Sequence, residues 1–402
     1  MPKKKFIAFI VSYSTNKHFR SFVSAHYFFI NKISQSFNNT YIINLNNLNF
    51  FTKSKIFKST VLKDYGLEKK IKFFFPKNIN EFDSFMKNKN ILGFNWFGIN
   101  LRHIKIFLLI KKYQIKLVQI SNIGNVQTNN RGHGIVNWSG HFFKIYKEYS
   151  HKFIVLLSNL SIIPKMEIRF VTNSQLLPKN RNKTIYQKFF NKFNLGFAKK
   201  IMIINSRSFD IFKETIFKKK EKYIILLDEQ LNEPQWTAFR KPFTKAEIKK
   251  HYEKLNEKLK FLSSYFKRKI VICIHPNDDL QLKKKYFKSF KVVQHKTREY
   301  IYQSFLVLFF ESSAIIDAVI LKKRIMTINS KILDSNQKEA ALHYVRELGV
   351  PILDIDKKLN IIQTEKKMMC KKYPYYINKY IVADKSKKLG YKKIINTLKQ
   401  IF

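Results

Sequence analysis

Polar side chains that could do chemistry follow three apolar runs in the second half of the chain: Asp228-Glu229, His275-Pro276 and Ser312-Ser313. A carboxylate can act as a general base, and an imidazole can donate a hydrogen bond to a phosphate or act as an acid. Paired hydroxyls at the start of a helix, with its free N–H groups and positive dipole end, can bind an anion. The three pairs therefore predict a site that binds a phosphorylated substrate and transfers a proton.

Each pair also has a plainer structural interpretation, which the sequence leaves open. Asp228 or Glu229 could be the base or bind a donor sugar, but both could also sit in a solvated turn. His275 could be an ordinary structural histidine, with Pro276 only fixing the chain as it leaves the strand. One of the two serines could simply cap the helix that follows.

The elements that would position these side chains alternate between strand-like and helix-like segments. Strands are predicted at 6–12, 91–94, 116–120, 168–172, 201–205, 223–227, 269–274, 291–294, 305–310 and 324–328. Helices are predicted at 98–113, 140–157, 244–266, 280–289, 297–304, 313–321 and 375–402, and Thr244-Lys245-Ala246-Glu247 forms a capping box. Such alternation is typical of a parallel sheet covered by helices, where ligands bind at the carboxyl ends of the strands.

A length of 402 residues favours two domains. The basic stretch Lys213–Lys222 separates the two series of elements. We therefore expect one Rossmann-like domain at 1–212 and a second at 213–402, the latter including the C-terminal helix. The most loop-like polar stretch of the first domain is 121–134, which could face an acceptor and contains Asn122, Gly124, Arg131 and His133.

The formal net charge of +50 attracts polyanions. Most of the excess is Lys, and it accompanies abundant Asn, Ile, Phe and Tyr, residue types with AT-rich codons. Arg is sparse, and the sequence has neither the aromatic RNA-binding pattern nor paired zinc-binding spacings, so we expect no nucleic-acid partner. Loose attraction to an anionic membrane fits better. Two cysteines, no apolar run of membrane-spanning length and no cleavable leader predict a cytoplasmic protein, peripheral on the inner face of the plasma membrane.

One segment of the second half resembles a known enzyme family. The sequence Phe310-Glu-Ser-Ser-Ala-Ile-Ile-Asp-Ala-Val-Ile-Leu-Lys-Lys-Arg324-Ile is similar to the Asp-Tyr-Ser-Ser-x-x-x-Asp-Phe…Lys-Pro element of bacterial CDP-glycerol glycerophosphotransferases. The preceding His-Pro also recurs in those enzymes, and bacterial GT-B sialyltransferases and polysialyltransferases carry similar His-Pro and Ser-Ser elements. The likeness covers residues 223–330. Phe310 stands where the glycerophosphotransferases have Asp, and Arg324 where they have Pro. These departures count against a polyol-phosphate substrate more than against the fold.

By position, the resemblance implies that His275, Ser312 and Ser313 hold the phosphate of a nucleotide donor and that Asp317 supports their loop. Thr297 is the nearest candidate to face the nucleotide, although it could be only an N-cap. The implied fold is GT-B-like and α/β, with two Rossmann-like domains facing a central cleft. The donor would bind in the second domain and the acceptor in the first.

The implied function is transfer of a sugar from a nucleotide-activated donor, expected to be CMP-linked, to a bacterial surface polysaccharide or lipopolysaccharide. No metal ion and no separate cofactor are expected. One alternative is a CDP-polyol phosphotransferase of cell-surface polymer synthesis, and another is a non-catalytic basic protein that binds membrane or RNA. The sequence Asp354-Ile355-Asp356 imitates a metal-binding pair, but its late position favours a solvated turn.

Overall fold

The computed structural model describes residues 4–13, 15–48, 60–87, 89–97, 99, 101–121, 149–150, 153–172, 198–215, 221–229, 231, 242–276, 278–310, 312–333, 335–368, 372–382, 384, 386 and 388–402. These residues fall into two compact units. The first holds the described residues up to 123, from 143 to 210 and from 383 to 402. The second holds the described residues from 211 to 382.

A parallel sheet of seven strands forms the first unit. Its strands are β1 (Lys4–Val11), β2 (Thr40–Asn44), β3 (Ile71–Phe74), β4 (Lys89–Asn95), β5 (Lys116–Ser121), β6 (Met166–Val171) and β7 (Ala198–Ile203), in the order β3-β2-β1-β4-β5-β6-β7. Its helices include α1 (Asn16–Ser36), α2 (Thr60–Asp64), α3 (Ile79–Met86) and α4 (Ile104–Lys112), with 3-10 turns at Asn46–Leu48 and Leu101–His103. Residues 149–150 and 153–159 are also helical.

Both faces of this sheet are buried, which explains the continuous apolar runs of its strands. On one face Ile7, Phe9 and Val11 of β1 join a core with residues of α1. On the other face Ala8 and Ile10 join a core with residues of α3 and α4. The alternation follows from the two-residue period of a strand.

The chain passes into the second unit through α5 (Arg207–Glu214) and forms a parallel sheet of six strands. These are β8 (Tyr223–Leu227), β9 (Lys269–Cys273), β10 (Lys291–Val293), β11 (Ser304–Phe309), β12 (Arg324–Asn329) and β13 (Ile352–Asp354). The helices are α6 (Lys245–Phe266), α7 (Leu280–Tyr286), α8 (Thr297–Tyr302), α9 (Ile315–Ile320), α10 (Ser335–Leu348), α11 (Ile361–Met368) and α12 (Tyr373–Tyr376), followed by a π-helix at Ile377–Ile381.

The strand order of the second sheet is β10-β9-β8-β11-β12-β13. Counted from β8, this is the order 3-2-1-4-5-6 of a doubly wound nucleotide-binding fold. The capping box predicted at Thr244 is present, since Thr244 Oγ1 accepts from the Glu247 N–H and the Glu247 carboxylate accepts from the Thr244 N–H. The predicted α/β class, with two Rossmann-like domains, is confirmed.

The last helix, α13 (Gly390–Ile401), belongs to the first unit. Its Tyr391, Ile394 and Leu398 enter the same core as β1 and α1. The buried carboxylate of Asp210 accepts hydrogen bonds from the Gly390 and Tyr391 N–H groups, both at 2.8 Å. A Cβ at position 390 would lie 2.6 Å from the Asn205 carbonyl oxygen, so only glycine fits there. The expectation that the C-terminal helix completes the second domain is therefore wrong.

No helix among the described residues combines the length and apolar character needed to cross a membrane.

Candidate functional site

Three neighbouring strands of the second sheet end at the same level. Leu227, the last residue of β8, lies opposite Cys273 of β9 and Phe309 of β11. The residues that follow these strands therefore leave the sheet at its carboxyl edge. The strand order changes direction between β8 and β11, which is where doubly wound sheets bind their ligands. The three polar pairs of the sequence follow strands that are adjacent at this edge.

A buried cluster around Lys283 of α7 ties together the loops that follow β8 and β9. Lys283 Nζ lies 2.5 Å from Asp228 Oδ2 and 3.1 Å from Asp278 Oδ2. It donates to the Glu229 main-chain oxygen at 3.0 Å and also to the Tyr252 hydroxyl. Burial opposes a charged amine, but the neighbouring Asp228 carboxylate outweighs it and raises the pKa of Lys283 above its usual range.

This environment bears on the role predicted for Asp228 and Glu229. The Asp228 side chain is 1% exposed, and Lys283 occupies its Oδ2. Asp228 is thus the counterion of a buried lysine, and Glu229 beside it is also buried. The assignment of either residue as general base stays a prediction.

A short loop of fixed shape presents His275. The Asp278 N–H donates to the His275 carbonyl oxygen at 3.0 Å, which closes a turn. The side-chain amide of Gln294, just after β10, lies within hydrogen-bond distance of three loop oxygens: 3.3 Å from His275, 3.1 Å from Pro276 and 3.0 Å from Asp278. The His275 side chain is exposed at the sheet edge. The loop is therefore pinned through its backbone and leaves the imidazole accessible.

The Ser312-Ser313 pair lies at the turn into α9. Ser312 Oγ accepts from the Ala314 N–H at 3.3 Å, and its carbonyl oxygen accepts from the Ile315 N–H at 3.2 Å. Ser312 thus stabilises the turn, but the N-cap of α9 is Ala314 and no side chain caps this helix, so the alternative that one serine caps it is wrong. The Ser313 side chain is exposed. Of the two hydroxyls, that of Ser313 is the more accessible to a ligand.

Asp317 and Thr297 lie on two helices that an ion pair connects. Asp317 Oδ2, on α9, lies 2.8 Å from Arg298 Nε on α8. The Asp317 side chain is 7% exposed and the Arg298 side chain 33% exposed, so part of the Arg298 side chain reaches solvent. Thr297 is the first residue of α8, whose N-cap is Lys296, so the suggestion that Thr297 is only an N-cap is wrong. The sequence did not single out Arg298, although an arginine in a lysine-rich chain was a usable signal.

A second buried network lies beyond β12 and β13. His251 Nδ1 on α6 lies 3.2 Å from Ser330 Oγ, which donates to Asp356 Oδ2 at 3.3 Å. Asp356 also accepts from the Lys331 N–H at 2.6 Å and pairs with Lys254. Burial, with Lys283 nearby as the second cause, lowers the pKa of His251 to about 4. The imidazole is therefore neutral in the folded protein at neutral pH.

The metal-like Asp354-Ile355-Asp356 sequence belongs partly to this network. Asp354 ends β13, and its carboxylate accepts from Asn329 Nδ2 at 3.1 Å and from the Asp356 N–H at 3.0 Å. The Asp356 side chain is only 6% exposed, so the expected solvated turn is wrong for this residue. The described part of the chain holds no group of three or more His, Cys, Asp or Glu side chains arranged to bind a metal ion.

The polar stretch expected to face the acceptor, 121–134, lies outside the described residues except for Ser121 at the end of β5.

Solved structures of similar fold match the chain at low sequence identity. The S. aureus protein MnaA, in a co-structure with UDP, has a TM-score of 0.50 and 11% identity over 99% of this chain and 96% of that chain. A protein assigned as a UDP-N-acetylglucosamine 2-epimerase from Listeria monocytogenes gives 0.52 and 12%, over 100% and 97%. A variant of the wall teichoic acid polymerase TagF, soaked with CDPG, gives 0.52 and 12%, over 100% and 88%. At these identities the likeness shows the fold alone. No protein-family model matches the chain, and no curated protein matches it in sequence.

Proposed function

We propose that this chain is a glycosyltransferase that moves a sugar from a nucleotide-activated donor to a bacterial surface polysaccharide or lipopolysaccharide. The proposal rests on one observation: strands β8, β9 and β11 are neighbours in the sheet, and each of the three predicted polar pairs follows one of them. The strand order reverses at this place, where doubly wound sheets bind their ligands. The donor phosphates would bind there, between the His275 loop and the Ser312-Ser313 turn.

The proposed reaction is displacement at the anomeric carbon of the donor sugar. An acceptor hydroxyl forms the new C–O bond, and the bond from that carbon to the donor phosphate breaks, leaving its electron pair on the phosphate. His275 stabilises the departing phosphate by donating a hydrogen bond or a proton, and the exposed Ser313 hydroxyl adds a second donor. The acceptor proton passes to a base, for which Glu229 is the candidate, because Lys283 engages the buried Asp228.

A cytidine nucleotide is the proposed donor, on the strength of the motif resemblance to enzymes of CMP-sugars and CDP-polyols. The second candidate function, transfer of a polyol phosphate from a CDP-polyol, is favoured by the fold similarity to the CDPG-soaked polymerase. Peripheral contact with an anionic membrane, on its cytoplasmic side, belongs to the same proposal because the chain carries a net charge of +50.

The test is the melting temperature of the full chain with CMP, CDP, UDP, GDP and ADP at equal concentration. A ligand at about 100 times its dissociation constant stabilises a protein by ~2.7 kcal/mol. This should raise the melting temperature by about 5 °C or more if the second unit unfolds as one cooperative unit. We expect the largest shift with a cytidine nucleotide, and its loss in His275→Ala and in the double variant Ser312→Ala/Ser313→Ala.

The matched control is Ser289→Ala, an exposed serine of the same unit that precedes β10 and so lies toward the opposite edge of the sheet. It should keep the full shift. Preference for UDP or GDP would overturn the cytidine assignment. An unchanged melting temperature with every nucleotide would overturn the proposed enzymatic activity and favour a non-catalytic basic protein.

A further inference from the structure

An exposed apolar stripe runs along the helical segment before β6. Phe153, Leu156 and Leu160 are 45%, 39% and 61% exposed, and Tyr149 extends the series at 64%. Phe153 and Leu156 lie three residues apart on the helical residues 153–159, and Leu160 follows four residues later at the turn that ends them, a spacing that places the three on one face. The neighbouring Ile154, Val155 and Leu157 are buried in the core of the first unit, so the helix is packed and still shows an apolar face to solvent.

Helix α4 widens this stripe into a patch. Lys111 Nζ donates to the Ser161 carbonyl oxygen at 2.7 Å, which brings the end of α4 against the turn after the stripe. Leu108, one helical turn before Lys111, is 44% exposed, and Ile162 in the adjoining turn is 42% exposed. These side chains are together called the apolar patch: Leu108, Tyr149, Phe153, Leu156, Leu160 and Ile162. Contiguous apolar patches on a folded surface mark interaction sites.

Lysines border the apolar patch. Lys105 and Lys112 share the α4 face of Leu108, at spacings of three and four residues. Lys112 lies 3.0 Å from Asp83, which offsets part of its charge. The exposed Lys111 lies between the two elements of the patch. Lys165 follows the last patch residue, Ile162, in the sequence and lies just before β6. An apolar surface with a cationic border is the arrangement of a helix that lies in a membrane interface.

We propose that the apolar patch docks the first unit onto an anionic phospholipid bilayer. The apolar side chains would enter the boundary between headgroups and acyl chains, and the bordering ammonium groups would remain at the lipid phosphates. Charge complementarity favours a bilayer over a second copy of this chain, because two such lysine borders, each on a chain of charge +50, would repel. The inference rests on the membrane contact of the proposed function and assigns that contact to residues of the first unit, whereas the proposed donor site belongs to the second.

The experiment is co-sedimentation of the full chain with vesicles of phosphatidylglycerol and phosphatidylcholine in equal amounts, and with vesicles of phosphatidylcholine alone. The test variant is Phe153→Gln/Leu160→Gln, which removes apolar surface without changing charge. The matched control is Phe261→Gln/Ile362→Gln, whose side chains are 43% and 66% exposed on the second unit. Leu160→Gln alone serves as the milder variant if the double variant does not fold.

We expect the wild type and the control to bind the anionic vesicles, and the test variant to partition at least about tenfold more weakly. The melting-temperature shift with nucleotide should be the same in all of them, which separates this proposal from the donor site. Equal vesicle binding by test and control variants, or no binding by the wild type at low salt, would overturn it. So would a wild-type dimer that the test variant loses while it keeps full vesicle binding, because the patch would then join two copies.

Discussion

The ammonium group of Lys283 meets the carboxylate of Asp228 inside the second unit, 2.5 Å apart, with side chains 5% and 1% exposed. The two residues come from α7 and from the end of β8, and Asp278 in the His275 loop joins the same lysine. One buried cation thus holds two of the three loops at the sheet edge. Its loss would leave two carboxylates without their counterion.

Replacing Lys283 by Met should destabilise the second unit strongly. Removing one partner of a buried ion pair typically costs about 3–5 kcal/mol, because the other charge stays buried. Chemical denaturation would measure the free energy of unfolding. Lys285→Met, an exposed lysine of the same helix, is the matched control and should change little. A loss below about 1 kcal/mol in Lys283→Met, the size of an exposed pair, would contradict the buried geometry.

Gln294→Ala should weaken nucleotide binding more than it weakens the fold. The Gln294 amide contacts three carbonyl oxygens of the His275 loop, so its loss frees the loop at the proposed donor site. We expect about a tenfold rise in the dissociation constant of the preferred nucleotide, corresponding to ~1.4 kcal/mol. Calorimetric titration would measure it. The control is Gln303→Ala. Gln303 is the C-cap of α8, and its side-chain amide donates to the Glu299 carbonyl oxygen of the same helix, so this variant should bind the nucleotide normally.

His251 should make the second unit sensitive to acid. Its pKa is lowered to about 4 in the folded protein, whereas an unfolded histidine titrates near ~6.5. Protonation therefore favours the unfolded chain. This contribution to stability is fully present above pH ~6.5 and is lost as the pH falls toward 4, by up to ~3 kcal/mol. The difference in the free energy of unfolding between neutral pH and pH ~4.5 should be smaller in His251→Phe than in the wild type, which denaturation at the two pH values would measure. An unchanged dependence would mean that other groups cause it.

Transfer should not require a divalent metal ion. The two aspartates of the metal-like sequence are engaged, Asp354 by Asn329 and Asp356 by Lys254 and the Lys331 N–H. We expect full activity in a chelator and in Asp354→Asn. Activity that disappears with chelation and returns with manganese would contradict this expectation.

The sequence was informative where an element's character is local. The run Tyr223–Leu227 is apolar throughout, and the structure gives β8 the same bounds as predicted. The capping box at Thr244 is likewise local, because its donors and acceptors lie within three residues. Elements that depend on distant partners were missed. The short strand β13 exists only through pairing with β12, and β2 lies in an Asn-rich stretch whose strand character comes from pairing with β1 and β3.

The same distinction holds at the candidate site. The sequence identified the strand-end residues because an abrupt change from apolar to polar is a local signal. Nothing local distinguishes Lys283 from Lys284 and Lys285, since its burial depends on Asp228, 55 residues away. The position of α13 was equally hidden: its apolar stripe predicts a buried face, but only the Asp210 contacts and the first sheet decide which core receives it.

The placement of α13 also governs the order in which the protein can mature during synthesis. The first core contains β1 and α1 from the start of the sequence and Ile394 and Leu398 from beyond residue 382. The whole second unit must therefore leave the ribosome before α13 can complete the core that it shares with β1 and α1. Until then the side chains that α13 covers are open to chaperones or to aggregation. The second unit, translated later, can complete its own core sooner.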